Sequence, residues 1–97
     1  MTNSKRDLVN YRLARAHETF DDAQLLSDNN KWNSAINRLY YAAFYAVSAL
    51  IISKNLDSHT HNGVKTKFSD LFIKTGKVDK ELGKIYSQLF TWRQKGD

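Results

Sequence analysis

The side chains of this sequence best suited to chemistry are three histidines (His17, His59, His61), an adjacent amide and cation (Asn37 and Arg38) and a C-terminal arginine, Arg93. Histidine moves protons near neutral pH, and arginine stabilises a developing phosphorane charge. Together they could supply proton transfer and charge stabilisation at a phosphate. Arg93 reads equally as a helix-end arginine set against the last carbonyls or paired with a carboxylate. His59 and His61 are one residue apart, so on a helix they point to different sides, and no carboxylate or third ligand stands near them to complete a zinc set. Cysteine is absent, which removes thiolate metal sites, disulfides and cysteine nucleophiles together. No metal or cofactor is expected.

Asn37 and Arg38 stand in the most apolar stretch of the chain, where polar groups must find partners or reach water. At helical spacing Asn37, Tyr41, Phe44 and Ser48 share one face, and Arg38, Tyr41 and Tyr45 the adjacent one. A groove with a mixed polar and aromatic lining could hold a base or a helix. The alternative is an asparagine bonded to a neighbouring helix and an arginine snorkelling outward. His61 is a secondary candidate for acid–base work, and His17 reads as a surface or boundary residue of the first helix.

The elements that must position these groups follow from periodicity. From Ser4 to about Asp28, the apolar residues Leu8, Tyr11, Ala16, Phe20, Ala23 and Leu26 recur as one helical stripe. Asp28, Asn29 and Asn30 form the exit, with Asn30 as a cap for a second helix from Lys31 to about Ser53. Its apolar face is read as Trp32, Ala35, Ile36, Leu39, Ala43, Val47 and Leu50. After a polar connection, Lys54 to Ser58, a shorter third helix opens at His59 or Thr60, carries Val64, Phe68, Leu71 and Phe72, and stops at Gly76. Asp79 starts a fourth helix with Leu82, Ile85, Tyr86, Leu89, Phe90 and Trp92 on its apolar side.

Hydrophobic residues make up 41% of the 97 and charged residues 26%, which places the chain among globular proteins. Proline is absent and glycine occurs only four times, which argues against an all-β fold with its many turns. One domain over residues 1–97 is expected: an all-α, up-and-down four-helix bundle, truncated at its C-terminal end because the fourth helix runs little past its apolar stripe. The apolar run from Leu39 to Ile52 is shorter than the ~20 residues a membrane span needs, and no secretory signal precedes it, so a cytoplasmic location without membrane contact is expected. The net charge of +5 suits nucleic acid or an acidic partner, but the basic residues are dispersed, as on any solvated helical surface. Phosphate loops, nucleophile elbows and calcium loops are all missing.

The run Trp32-Asn33-Ser34-Ala35-Ile36-Asn37-Arg38-Leu39-Tyr40-Tyr41-Ala42-Ala43-Phe44-Tyr45 resembles the second helix of the HEPN domain family. Thr60-His61-Asn62-Gly63-Val64, Lys74-Thr75-Gly76 and Leu82 to Arg93 are similar to the rest of its small stand-alone prokaryotic branch. The resemblance implies a bundle that is commonly a homodimer, often paired with a minimal nucleotidyltransferase in toxin–antitoxin or defence systems. Many members cut RNA without a metal, using an arginine on the last long helix, a histidine four to six residues later and a polar residue on the second helix. Arg93 and Asn37 match the first and last of these. The histidine would fall beyond Asp97, and Asp97 fits instead the aspartate of an Asp-Tyr pair that follows the arginine in this branch.

Two functions are therefore expected. The chain is an interaction module for a cognate nucleotidyltransferase, or it is a metal-independent ribonuclease with Arg93 and Asn37 in its site and Arg38, Tyr41 and His61 binding RNA or a nucleotide. A nucleotide-binding protein is a third reading, resting on the family's name.

Overall fold

The computed structural model describes residues 3–56 and 60–96. The expectations placed on His59 and Asp97 lie outside them. Four α-helices follow in order: α1 (Asn3–Asp28), α2 (Trp32–Ser53), α3 (His61–Phe68), extended by a π turn over Ser69–Ile73, and α4 (Lys80–Gly96). No strand occurs among the described residues.

Each helix stops for a local reason. At the end of α1, Lys31 N donates to Leu26 O and Asn30 N to Ser27 O, while Asn30 takes the left-handed conformation at φ 60°. This is a Schellman closure with asparagine in the usual glycine position. Asn30 therefore ends α1; the residue flanking the start of α2 is Lys31, which makes no side-chain cap. The expected N-cap role fails because a residue with positive φ cannot also adopt the extended conformation a cap needs. α2 ends the same way, with Asn55 at φ 62° and Leu56 N bonded to Ile51 O. Thr60 caps α3 by accepting from Gly63 N at 2.8 Å, Gly76 at φ 78° closes the π turn's exit, and Asp79 Oδ1 accepts from Glu81 N at the start of α4.

The architecture is decided by α2, which is packed on two opposite faces. One face carries Ala35, Ala42 and Ala49, seven residues apart and all buried; it meets α1, whose own buried residues are Thr19 and Ala23. The opposite face carries Tyr40, Val47 and Ile51, which join Val64, Phe68, Phe72, Tyr86, Leu89 and Phe90 in the principal core. Lys5 Nζ, near the start of α1, bonds Asn55 Oδ1 at the end of α2, so the two helices run antiparallel along their whole length. α2 is also long and apolar enough, by length and composition, to cross a membrane. The apolar run read from the sequence was shorter than this 22-residue helix. Its two covered faces are those of a core helix.

The apolar stripes read from the sequence are only partly buried. Leu8, Tyr11 and Phe20 on α1, Trp32 on α2 and Leu82, Ile85 and Trp92 on α4 are exposed. Ile36, Leu39, Ala43 and Leu50 are partly covered, and Leu39, Ala43 and Leu50 pack against the edge of the principal core. With Phe20, Ala23 and Trp32, Ile36 and Leu39 border a shallow groove of about 230 Å³ between α1 and α2. The true centre of α2 is Tyr40, fully buried at 0% exposure, which pure apolar counting passes over because tyrosine carries a hydroxyl.

Candidate functional site

Three elements converge on the Tyr40–Tyr41 pair. Neighbouring residues of a helix differ by about 100° in direction, so Tyr40 turns into the core while Tyr41 stays half-buried at its edge. Thr60 fixes the first turn of α3, and His61, the residue after this cap, is thereby held against α2. The last turns of α4 bring Arg93 over the same rings.

His61 Nδ1 lies 2.7 Å from Tyr40 Oη. Its ring packs on Phe44, with centroids 4.4 Å apart and planes at 32°, and meets the edge of Tyr41 at 5.7 Å. The Arg93 guanidinium carbon sits 5.0 Å from the Tyr40 ring centroid and 5.8 Å from that of Tyr41, and Arg93 Nη1 donates to Tyr41 Oη at 3.4 Å. Arg38 covers Tyr41 as well, at 5.2 Å, so two guanidiniums flank one phenol. Such cation–π contacts hold the two cations in place over the aromatic floor. The Asn37 amide oxygen accepts from Arg38 Nε at 3.2 Å and from Nη2 at 2.7 Å.

The electrostatics follow from this packing. Partial burial, and then the positive charge of Arg93, lower the His61 pKa, favouring neutral imidazole. Burial pushes the Tyr40 hydroxyl upward, and Arg93 opposes the shift. Burial raises Tyr86, stacked on Tyr40 at 5.9 Å with planes at 1°, more strongly still. The Tyr86 hydroxyl is close enough to Tyr40 for each to affect the other's titration, yet it closes no hydrogen bond of ordinary geometry. Both phenols are therefore protonated at neutral pH.

The sequence-read residues Arg93, Tyr41, Arg38 and His61 thus come together, with Asn37 attached through Arg38. Among the described residues no group of three His, Cys, Asp or Glu side chains assembles. Tyr40 and Tyr86 escaped the sequence reading as site residues. The available signal was the doubled tyrosine itself, since adjacent helical positions point about 100° apart and so meet different surroundings.

An all-helical domain that gathers histidine and arginine on an aromatic floor is the class of protein defined so far. The HEPN domain family profile matches residues 9–97, and the chain belongs to that family. It is 50% identical over 95 residues to the "UPF0332 protein" of Thermotoga maritima, covering 98% of this chain and 72% of that protein. Two proteins of Methanocaldococcus jannaschii are also similar. One, named "Putative toxin MJ0142", is 31% identical over 96% of this chain and 63% of its own length. The other, named "Putative toxin MJ0605", is 30% identical over 95% and 69%. The chain thus spans about two thirds of the length of these relatives. No solved structure matches it.

Proposed function

We propose that this chain is a toxin-class HEPN protein that engages RNA at the Tyr41–His61–Arg93 site and cuts it without a metal, in the cytoplasm. The observation that carries this reading is the pairing of an imidazole biased toward its neutral form with a guanidinium fixed on the same aromatic floor. The names of the two archaeal relatives are consistent with it.

With Nδ1–H donating to Tyr40 Oη, the His61 Nε2 lone pair is free to accept the 2′-hydroxyl proton. The 2′-oxygen then attacks phosphorus, the bond to the 5′-oxygen breaks, and that oxygen takes a proton from water. The products are a 2′,3′-cyclic phosphate and a 5′-hydroxyl, and His61 returns its proton to solvent. Arg93, with Arg38 across Tyr41, faces the charge that grows on the phosphorane oxygens. In this scheme Asn37 is a positioning residue acting through Arg38.

The test is cleavage of single-stranded RNA in the presence of a chelator by wild type, Arg93→Ala and His61→Ala, matched for folding by circular dichroism. His61→Ala should lose roughly 10²-fold or more in rate, and Arg93→Ala as much. No cleavage by folded, partner-free wild-type protein overturns the reading.

A second reading, that of an interaction module for a cognate nucleotidyltransferase, is favoured by the exposed Leu82, Ile85 and Trp92 of α4 and by Leu8, Tyr11 and Leu13 of α1. Apolar surface of this extent suits a homodimer or a partner protein. Light scattering of the purified chain, alone and with the candidate partner, separates these arrangements from a monomer.

A further inference from the structure

A second concave site lies on the outer side of the α3–α4 pair. It is a cleft of about 320 Å³ between the end of α3, the π turn and the first half of α4. Lys65, Lys80 and Lys84 line it, together with the hydroxyls of Thr66, Ser69 and Ser87, above a floor that includes Phe68 and Tyr86. The one carboxylate on its wall, Asp70, is engaged by Lys74 at 2.9 Å, so the three lysines leave the cleft positive.

Its shape has an identifiable cause. The π turn bonds Lys74 N to Ser69 O, and Ile73, its last residue, lies against α4. α4 accepts it at Gly83, where a Cβ would stand 2.9 Å from Ile73 Cγ1. The contact pins the two helices at one point and leaves the space beside it open. Lys65 is one turn beyond His61 on α3, with its ammonium 5.3 Å from the Phe90 ring centroid, and Tyr86 on the cleft floor stacks on Tyr40. The cleft therefore backs onto the His61–Arg93 cluster through shared aromatic rings.

We propose that this cleft is a separate binding site for phosphate groups. Lysine and hydroxyl side chains grouped around a partly apolar floor are the chemistry that receives a phosphate together with the sugar or base attached to it. The phosphate could belong to a free phosphate compound or to the backbone of a nucleic-acid strand. The site does not depend on cleavage at His61.

The test is a nuclear magnetic resonance titration with two probes, inorganic pyrophosphate and a short single-stranded oligoribonucleotide. Wild type, the double variant Lys80→Gln/Lys84→Gln and Arg93→Gln are compared. Amide shifts confined to Thr66, Ser69, Gly83 and Ser87, about tenfold weaker binding in the double variant and unchanged pyrophosphate binding in Arg93→Gln support the site. If, with Arg93→Gln in place, the oligoribonucleotide binds more tightly than pyrophosphate and adding Lys80→Gln/Lys84→Gln lowers its salt slope by about 1 to 2, the source is a strand backbone. If it binds no better, the source is a free phosphate compound. Shifts scattered over lysines across the surface, or equal affinity in the double variant, overturn the proposal. Because Arg93→Gln alters the His61–Arg93 site and the double variant alters only the cleft, failure of the ribonuclease reading and failure of this site are separately visible.

Discussion

The two faces of α2 solve the same packing problem with opposite materials. Toward α3 and α4 it presents Tyr40, Val47 and Ile51 to a cluster of four further aromatic rings, those of Phe68, Phe72, Tyr86 and Phe90. Toward α1 it presents Ala35, Ala42 and Ala49 to Thr19 and Ala23. The first contact buries large area per residue and holds polar tips such as Tyr40 Oη and His61 Nδ1 in fixed geometry. The second brings two long helices close along a small-residue seam and leaves much of α1's apolar surface outside it. The candidate site lies on the aromatic side, where α2, α3 and α4 meet around Tyr40.

The largest effect expected from this contrast is on the aromatic side. Phe72, 3% exposed, should cost about 3–5 kcal/mol on truncation to alanine. Urea unfolding measures it, and a loss under about 1 kcal/mol would mean the core is elsewhere. On the alanine side the damaging change is enlargement. Ala42→Leu forces α1 and α2 apart and should cost about 1–3 kcal/mol, whereas the same substitution on a loosely packed seam would be neutral or stabilising.

A smaller effect is expected from pH. The folded-state pKa of His61 lies below its ordinary value near 6.5, so the unfolded chain binds more protons between the two values. The contribution of this group is complete above about pH 6.5 and is lost as pH falls toward the folded-state pKa. Melting temperature recorded from pH 7.5 to 5 should therefore fall more in wild type than in His61→Gln, and parallel curves would show that the imidazole is not desolvated. The smallest effect belongs to α1's outer surface. Leu25, 64% exposed, should change stability by no more than about 0.5 kcal/mol when truncated to alanine. A loss of 2 kcal/mol that depends on protein concentration would show that a second chain covers this face.

Helix number, order and most boundaries were legible because the absence of proline, the asparagine and glycine stops and the Thr60 and Asp79 caps act within a few residues. The lining of the site was legible in part. Asn37, Tyr41 and Phe44 share a face by helical arithmetic, and Arg93 and His61 were marked by resemblance to a family. The apolar stripe of α2 was legible in part: Ala35 and Val47 are buried and Leu39, Ala43 and Leu50 pack against the core, but the stripe left out Tyr40, the residue surrounded on all sides. The α3–α4 cleft was illegible, since Lys65 lies well apart in sequence from Lys80 and Lys84 and reads as dispersed surface charge.

The sequence by itself therefore determined the local features: where most of the helices start and stop, which residues share a face, and the basic, cysteine-free character of the chain. Only the tertiary structure decided which face of α2 becomes the core, which tyrosine of the pair goes inside and which distant cations meet. Those outcomes depend on contacts among helices far apart in sequence. Helical periodicity says which residues lie together on one helix and nothing about the helix that will cover them.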